Sequence, residues 1–179
     1  MKVFSIRSVP TTQWSSDKPL NFSPKPITVL ILCLGLFLFG LGESLIITAS
    51  AGMSPWTVLA EGLSITTGLS IGVLTFLISL GVLLLWIPLK QKAGIGTLLN
   101  VIIIAGVIEW SLPYLPHPET YAMQILQATL GTLLVGLASG IYLIANLGPG
   151  PRDGLMTVSY THLRAHETEA DLVCRLLLE

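Results

Sequence analysis

Four apolar runs, at about residues 27–48, 70–88, 95–113 and 123–147, dictate what this chain can become. Each is close to the roughly 20 residues that cross the hydrocarbon core of a bilayer as an α-helix. Composition agrees: 52% of the 179 residues are hydrophobic and 11% are charged, against about 25% charged in an ordinary soluble domain. A water-soluble fold of this size could not cover its surface with so few charges, which excludes a cytosolic enzyme. With a formal net charge of −1 and two cysteines, the chain also lacks the basic face of a nucleic-acid binder and the thiols of a disulfide scaffold. The expected fold class is all-α, a polytopic transmembrane helical bundle with four spans present.

Residues 158–179 differ in character from everything before them. They hold Arg164, Arg175, four acids and two of the three histidines. His162 and His166, at i and i+4 with Glu167 and Cys174 beyond, have the spacing of a helical metal site. The stretch nevertheless resembles a translated sequencing adapter. Val158–Thr168 (VSYTHLRAHET) matches one fixed block of a transposase adapter, and Leu172–Glu179 (LVCRLLLE) matches the next block in the same frame, with room for a short index between. It is therefore set aside from fold reasoning as a non-native tail, and the histidine pair is assigned no chemistry. On this reading the natural chain is interrupted near Thr157, and the remainder carries seven Lys and Arg against six Asp and Glu, about +1.

Residues 1–26 are polar and broken by Pro10, Pro19, Pro24 and Pro26, with Lys2, Arg7, Lys18 and Lys25 against Asp17 alone. No packed element is expected there. Ala49-Ser50-Ala51 mimics a signal-peptidase site, but the run before it is too long for a signal peptide and contains Glu43, so a retained helix is expected. Lys and Arg concentrate on the cytoplasmic side of short loops. That rule places the N-terminus, Lys90, Lys92 and Arg152 inside. It places the loops around 51–69 and around His117 and Glu119, which lack Lys and Arg, outside. The expected location is a bacterial plasma (inner) membrane, multi-pass, with a cytoplasmic N-terminus. Trp86, Trp110 and Tyr114 fall near span ends, where interfacial aromatics prefer to sit.

The chain also resembles itself. Gly40–Leu59 (GLGESLIITASAGMSPWTVL) and Gly136–Leu155 (GLASGIYLIANLGPGPRDGL) align at an offset of 96 with six identities in twenty, among them Gly52/Gly148 and Pro55/Pro151. Each copy is an apolar helix, a small-residue stop, a Gly/Pro turn and a new helical start. The first restart, about 55–66, is too short and polar to span, so it reads as a re-entrant or interfacial half-helix, which needs protein or water around its free backbone groups. One repeat then holds three spans, and an odd number turns the second copy upside down. The expectation is an inverted-topology repeat, 3+3 in an intact protein, of which this chain is a C-terminally truncated part. Such repeats with matched Gly/Pro breaks point to a transport-type site at the repeat interface.

The run Gly148-Pro149-Gly150-Pro151-Arg152-Asp153-Gly154-Leu155-Met156-Thr157 resembles the signature loop of the YczE/YyaS/YitT-like family of bacterial integral membrane proteins. The similarity extends over about residues 27–157. It takes in Gly52-Met53-Ser54-Pro55-Trp56, Gly62-Leu63-Ser64 with Thr67-Gly68, and Gly94-Ile95-Gly96-Thr97. The family often has an acidic residue after Pro-Trp, where this chain has Thr57, so a charged role is not carried over to the first break. The resemblance implies a multi-spanning architecture rather than a particular activity.

The candidate ligand or ion contacts are Glu43, Pro55, Trp56, Asn100, Gly148, Gly150, Arg152 and Asp153. An intramembrane carboxylate such as Glu43 is costly and points to function by default; its alternative is a carboxyl near the outer interface. Asn100 suits hydrogen bonding between helices better than solute contact. Glu109, beside Trp110, reads as interfacial. Asp153 suits a helix N-cap, and Arg152 could pair with it, hold an anionic lipid headgroup or bind an anionic substrate. Gly35, Gly40, Gly42, Gly131, Gly136 and Gly140 read as close helix packing, and Cys33 as a small apolar side chain. No catalytic set or metal constellation remains outside the tail, so neither enzyme activity nor a cofactor is expected. The expected partners are the lipid bilayer and a small-molecule solute, with room for a homo-oligomer and none for nucleic acid. The leading function is that of a transporter or permease. The alternative is a non-transporting accessory protein that binds or stabilises a membrane or cell-surface partner.

Overall fold

The computed structural model describes residues 12–16, 21, 23–89, 91 and 93–156. The adapter-like tail, its histidine pair, Lys90 and Lys92 lie outside the described residues. All regular structure within them is helical: α1 (Pro26–Ala49), α2 (Pro55–Thr67), α3 (Ile71–Trp86), α4 (Ile95–Ser111, continued by a 3-10 turn, Leu112–Tyr114) and α5 (Tyr121–Ile144). A short helical segment, 151–156, follows the break after α5.

Local chemistry sets the ends of these elements. Proline stands in the first turn of both α1 and α2, where its fixed φ suits the helix and its missing N–H costs nothing. Ser54 and Ser70 cap α2 and α3, accepting from the backbone N–H of Thr57 at 3.3 Å and Val73 at 3.5 Å. Gly68 ends α2 in the left-handed region, at φ 72°, which glycine enters without steric cost.

Among the described residues, three helices are long and apolar enough to cross a membrane: α1, α4 with its 3-10 turn, and α5. At 16 residues, α3 is about 24 Å long at 1.5 Å per residue, short of the roughly 30 Å hydrocarbon core. It meets α2 at a bend of 116°, and the two together make the fourth candidate crossing. The chain is a helical membrane bundle.

Helix α1 is its centre. Ser44 donates to its own Gly40 carbonyl at 2.9 Å and accepts from Ser111 of α4 at 2.7 Å, and Gly40 lies against Val107. Both contacts between α1 and α4 are 67 residues apart, so those two helices run parallel. Helix α5 runs antiparallel: Gly35 of α1 meets Ala138 and Tyr142, Gly42 meets Gly131 and Val135, and Thr48 accepts from Gln127 at 2.7 Å. These glycines let the backbones approach closely, the usual way that membrane helices gain packing energy without a hydrophobic drive. Leu32 and Leu36 of α1, Ile104 and Ile108 of α4, and Tyr142 of α5 complete the core.

Four expectations need correction. Residues 12–16 are packed rather than free. They form a turn in which Ser15 bonds Thr12, Ser16 donates to the Ala145 carbonyl at 3.1 Å, and the Asn146 amide donates to the Ser16 carbonyl at 2.8 Å. The segment docks because the break after α5 offers backbone groups that the helix leaves unpaired. Trp86 is buried at 3% exposure, its ring packed over Gly154, so it is not an interfacial anchor. Trp110 and Tyr114 are exposed and touch ring to ring. Gly136 and Gly140 face open space, unlike the other four glycines assigned to packing. Asp153 is not an N-cap, because Pro151 already opens the helix two residues earlier.

The glycine seam can be tested directly. A Cβ at Gly42 would lie 2.7 Å from Val135 Cγ2 and 3.0 Å from the Gly131 carbonyl oxygen, whereas one at Gly81 meets nothing within 4 Å. Gly42→Leu should lose about 1–3 kcal/mol to overpacking. Gly81→Leu should be neutral or slightly stabilising, since leucine is the better helix former. Thermal unfolding in detergent, followed by circular dichroism, reads both.

Candidate functional site

Both breaks fold the chain back onto the helix that precedes them. After α1, Ser50 takes a left-handed conformation at φ 52° and Gly52 one at φ 144°; after α5, Asn146 and Gly148 do so at 54° and 115°. Ser50 and Asn146 are 96 residues apart, as are Gly52 and Gly148. The first reversal lets Thr57, at the start of α2, donate to Oε2 of Glu43 at 3.0 Å. Glu43 sits six residues before the end of α1, so the start of α2 lies back beside α1 by nearly two turns. The second reversal brings Asp153 to Tyr142, whose hydroxyl donates to Oδ2 of the carboxylate.

Between these two restarts lies a cavity with about 50 Å³ of space for the centres of water-sized molecules. At roughly 10–15 Å³ per water, it has room for about three to five waters, or for a solute of a few heavy atoms. Its walls come from every layer: Phe39 and Glu43 of α1, Trp56 and Thr57 of α2, Thr75 and Ser79 of α3, Asn100 and Ile104 of α4, Tyr142 of α5, and Gly150 to Asp153 after the second break.

Glu43 carries the electrostatics. It is 6% exposed, and its second oxygen, Oε1, lies 3.7 Å from Arg152 Nη1. Arg152 thus pairs with a carboxylate on α1 rather than with its neighbour Asp153. The Arg152 side chain keeps 44% of its surface exposed and that of Glu43 7%, so the ion pair joins a buried group to a half-exposed one. Asp153 is the third helical residue of its segment and accepts from the Gly150 backbone. That is the return half of a capping box, combined with the bond from Tyr142.

The Gly-Ile-Gly-Thr start of α4 buttresses the second break. Gly96 N–H donates to the Leu147 carbonyl at 2.9 Å, and Thr97 Oγ1 donates to the Pro149 carbonyl at 2.8 Å. A Cβ at Gly94 would overlap the Leu147 carbonyl oxygen, and one at Gly148 would sit 2.8 Å from Thr97 Oγ1. One turn further along α4, the Asn100 amide packs against Gly150. Two motif fragments far apart in sequence are therefore one structural joint.

Six of the eight sequence candidates line the cavity: Glu43, Trp56, Asn100, Gly150, Arg152 and Asp153. Pro55 and Gly148 do not; they shape the turns that deliver their neighbours. Glu109 is exposed on α4, against Gly72 of α3. Sequence reasoning missed Thr75, Ser79 and Tyr142. The two hydroxyls at i and i+4 on one face of α3 were the available signal. Nothing local marks Tyr142, whose role depends on the fold-back after it. Among the described residues no group of three or more His, Cys, Asp and Glu could hold a metal ion.

Comparison with known proteins places this architecture. Residues 27–176 match the family model described as a family of unknown function (DUF6198), a range that runs on into the adapter-like stretch. The chain belongs to this family. An uncharacterised protein of Haemophilus influenzae is 39% identical over 151 residues, covering 84% of this chain and 68% of the relative. The uncharacterised membrane protein YczE of Bacillus subtilis is 37% identical over 126 residues, covering 68% of this chain and 58% of the relative. The YczE-like resemblance read from the Gly-Pro-Gly-Pro-Arg-Asp-Gly run is thereby shown. No solved structure matches.

The ion pair makes a sharp prediction. Arg152→Gln leaves the Glu43 carboxylate buried, with the Thr57 hydroxyl as its remaining partner among the described residues. Removing one partner of a fully buried pair costs about 3–5 kcal/mol; the half-exposed arginine reduces this to about 1–2 kcal/mol. The double variant Glu43→Gln with Arg152→Gln should recover most of the loss. Melting temperatures of the wild type, both single variants and the double variant measure the coupling.

Proposed function

We propose that this family member is a transporter or permease-like protein of the bacterial inner membrane, built on an inverted repeat, that passes a small polar solute or ion through the cavity between its two breaks. The observation that carries this reading is the convergence of both breaks on one cavity whose largely apolar wall holds a few polar and charged groups, bridged by Glu43 and Arg152. Secondary transporters place substrate where interrupted helices of two repeats meet, and ionisable side chains within a membrane mark such paths.

Two further features support the repeat. The left-handed residues of the two breaks fall at equivalent positions, as given above. The contacts of α1 with α5 also exchange under the repeat: shifting each residue by 96 turns the pair Gly35 and Ala138 into Gly131 and Gly42, and both pairs touch. A two-fold axis in the membrane plane produces that exchange. Antiparallel α1 and α5 accord with an odd number of spans per repeat.

Sidedness is the first test. Single cysteines replacing Pro55 and Pro151 should react with a membrane-impermeant maleimide from opposite sides, 55 from outside and 151 from inside. Reaction of both from one side removes the inverted repeat. The second test is ligand response. Across a panel of inorganic ions and small polar solutes, a hit should raise the melting temperature or be taken up by proteoliposomes, and Arg152→Gln or Asp153→Asn should abolish that response. No hit, together with a stoichiometric co-purifying membrane protein, would favour the accessory role instead.

A further inference from the structure

The core-facing line of α1 is Leu32, Leu36, Gly40 and Ser44, all buried. Helix α4 covers it, with Val107 against Gly40 and Ser111 bonded to Ser44. Adding 96 to each position gives Ala128, Thr132, Gly136 and Gly140 on α5. Here the last three are exposed and Ala128 is half-buried. A Cβ at Gly136 or at Gly140 meets nothing within 4 Å. An open groove runs beside this line, walled by Ile125, Ala128, Thr129, Thr132 and Leu133 of α5 with Ala51 from the first break. The most apolar stretch of α5 is 17% buried, against 44% for α1 and for α4.

Among the described residues, one side of the proposed repeat therefore has a covering helix and the other lacks it. We infer that this face of α5 is a docking surface for a membrane-spanning helix of the α4 type, supplied by the second repeat of the longer proteins in the family. Two observations select that occupant over a second copy of the chain. The first is that the bare line is the repeat counterpart of an interface already formed within the bundle, between helices that run parallel. The second is length: about a third of one relative and over two-fifths of the other lie outside the matched residues. The partner's chemistry follows from Ile104, Val107, Ile108 and Ser111. The docking helix presents β-branched side chains at i, i+3 and i+4, and a small or hydroxyl residue at i+7. The small residues of α5 admit such a helix to close backbone approach.

The inference rests on the inverted repeat and not on transport. The test is assembly in trans. This chain, carrying an affinity tag, is produced in one membrane with the separately tagged part of the Haemophilus influenzae relative that lies outside the match, and is purified in mild detergent. The fragment should co-purify at about one to one. Gly136→Leu and Thr132→Leu, which fill the groove by different side chains, should each reduce its recovery about tenfold or more, while Gly81→Leu leaves it unchanged. Absence of the fragment overturns the inference, as does recovery unaffected by both groove variants. Self-association of the chain that the groove variants abolish, without fragment binding, also overturns it and gives the face to a second copy. Opposite-side labelling of positions 55 and 151 combined with any of these negatives leaves the repeat standing and removes this surface alone.

Discussion

Hydrocarbon offers no hydrogen bonds, so every backbone N–H and C=O within the membrane must find a partner inside the protein. A continuous helix meets that demand by itself; a broken one does not. This chain breaks twice, after α1 and after α5, and much of its irregular structure repairs those breaks. Ser54 takes up the Thr57 N–H. The Leu147 and Pro149 carbonyls go to Gly96 and Thr97, and the Ala145 carbonyl goes to Ser16. The repairs of the second break come from the segment before α1 and from the first turn of α4, so that break holds distant pieces of the chain in register.

Close approach makes the repair of the second break possible. A hydrogen bond from the first turn of α4 to the Leu147 carbonyl requires the two backbones to touch, and glycine at 94, 96 and 148 is what permits it. At Gly148 the demand is twofold, because φ is also positive, at 115°. The same joint holds Asn100 over Gly150, placing one polar wall of the cavity. The site is thus a by-product of satisfying the backbone: the turns that make fold-back possible carry Thr57 to Glu43 and Asp153 to Tyr142.

What could be read from the sequence divides along the same line. Apolar runs and Gly/Pro breaks act over one helix or one turn, so the helical class, the helix start at Pro55 and the break around Gly148 were legible. The offset of 96 between the two break sequences also pairs positions that share unusual backbone angles, Ser50 with Asn146 and Gly52 with Gly148. Partners set by the folded bundle were not legible. The sequence left Arg152 open between Asp153, a lipid headgroup and an anionic substrate and offered no sign of Glu43; the helix start at Pro151 turns Asp153 back to Gly150 and sends Arg152 across to α1. Trp86 was taken as an interfacial anchor because it ends an apolar run, and nothing local announced the bare Gly154 beneath its ring. The polar segment 12–16 was judged by composition alone, which cannot foresee an unpaired carbonyl at Ala145.

The pair of Glu43 and Arg152 is poor material for holding a membrane bundle together. Removing the Glu43 charge from water costs several kcal/mol, and an apolar residue of similar volume often serves stability as well or better. Stability therefore does not explain the pair, but its asymmetry suggests a role. Glu43 is dry and fixed by Thr57, whereas Arg152 is half in solvent, at 3.7 Å and beyond hydrogen-bond length. The arginine can release the carboxylate at the cost of breaking a loose contact, while the carboxylate cannot follow it. On the transport reading, an arriving ion or polar solute would compete for Glu43 against a partner that is already half hydrated. It would do so at the point where the second break touches α1, so exchange of partners there would loosen one break from the other repeat's helix.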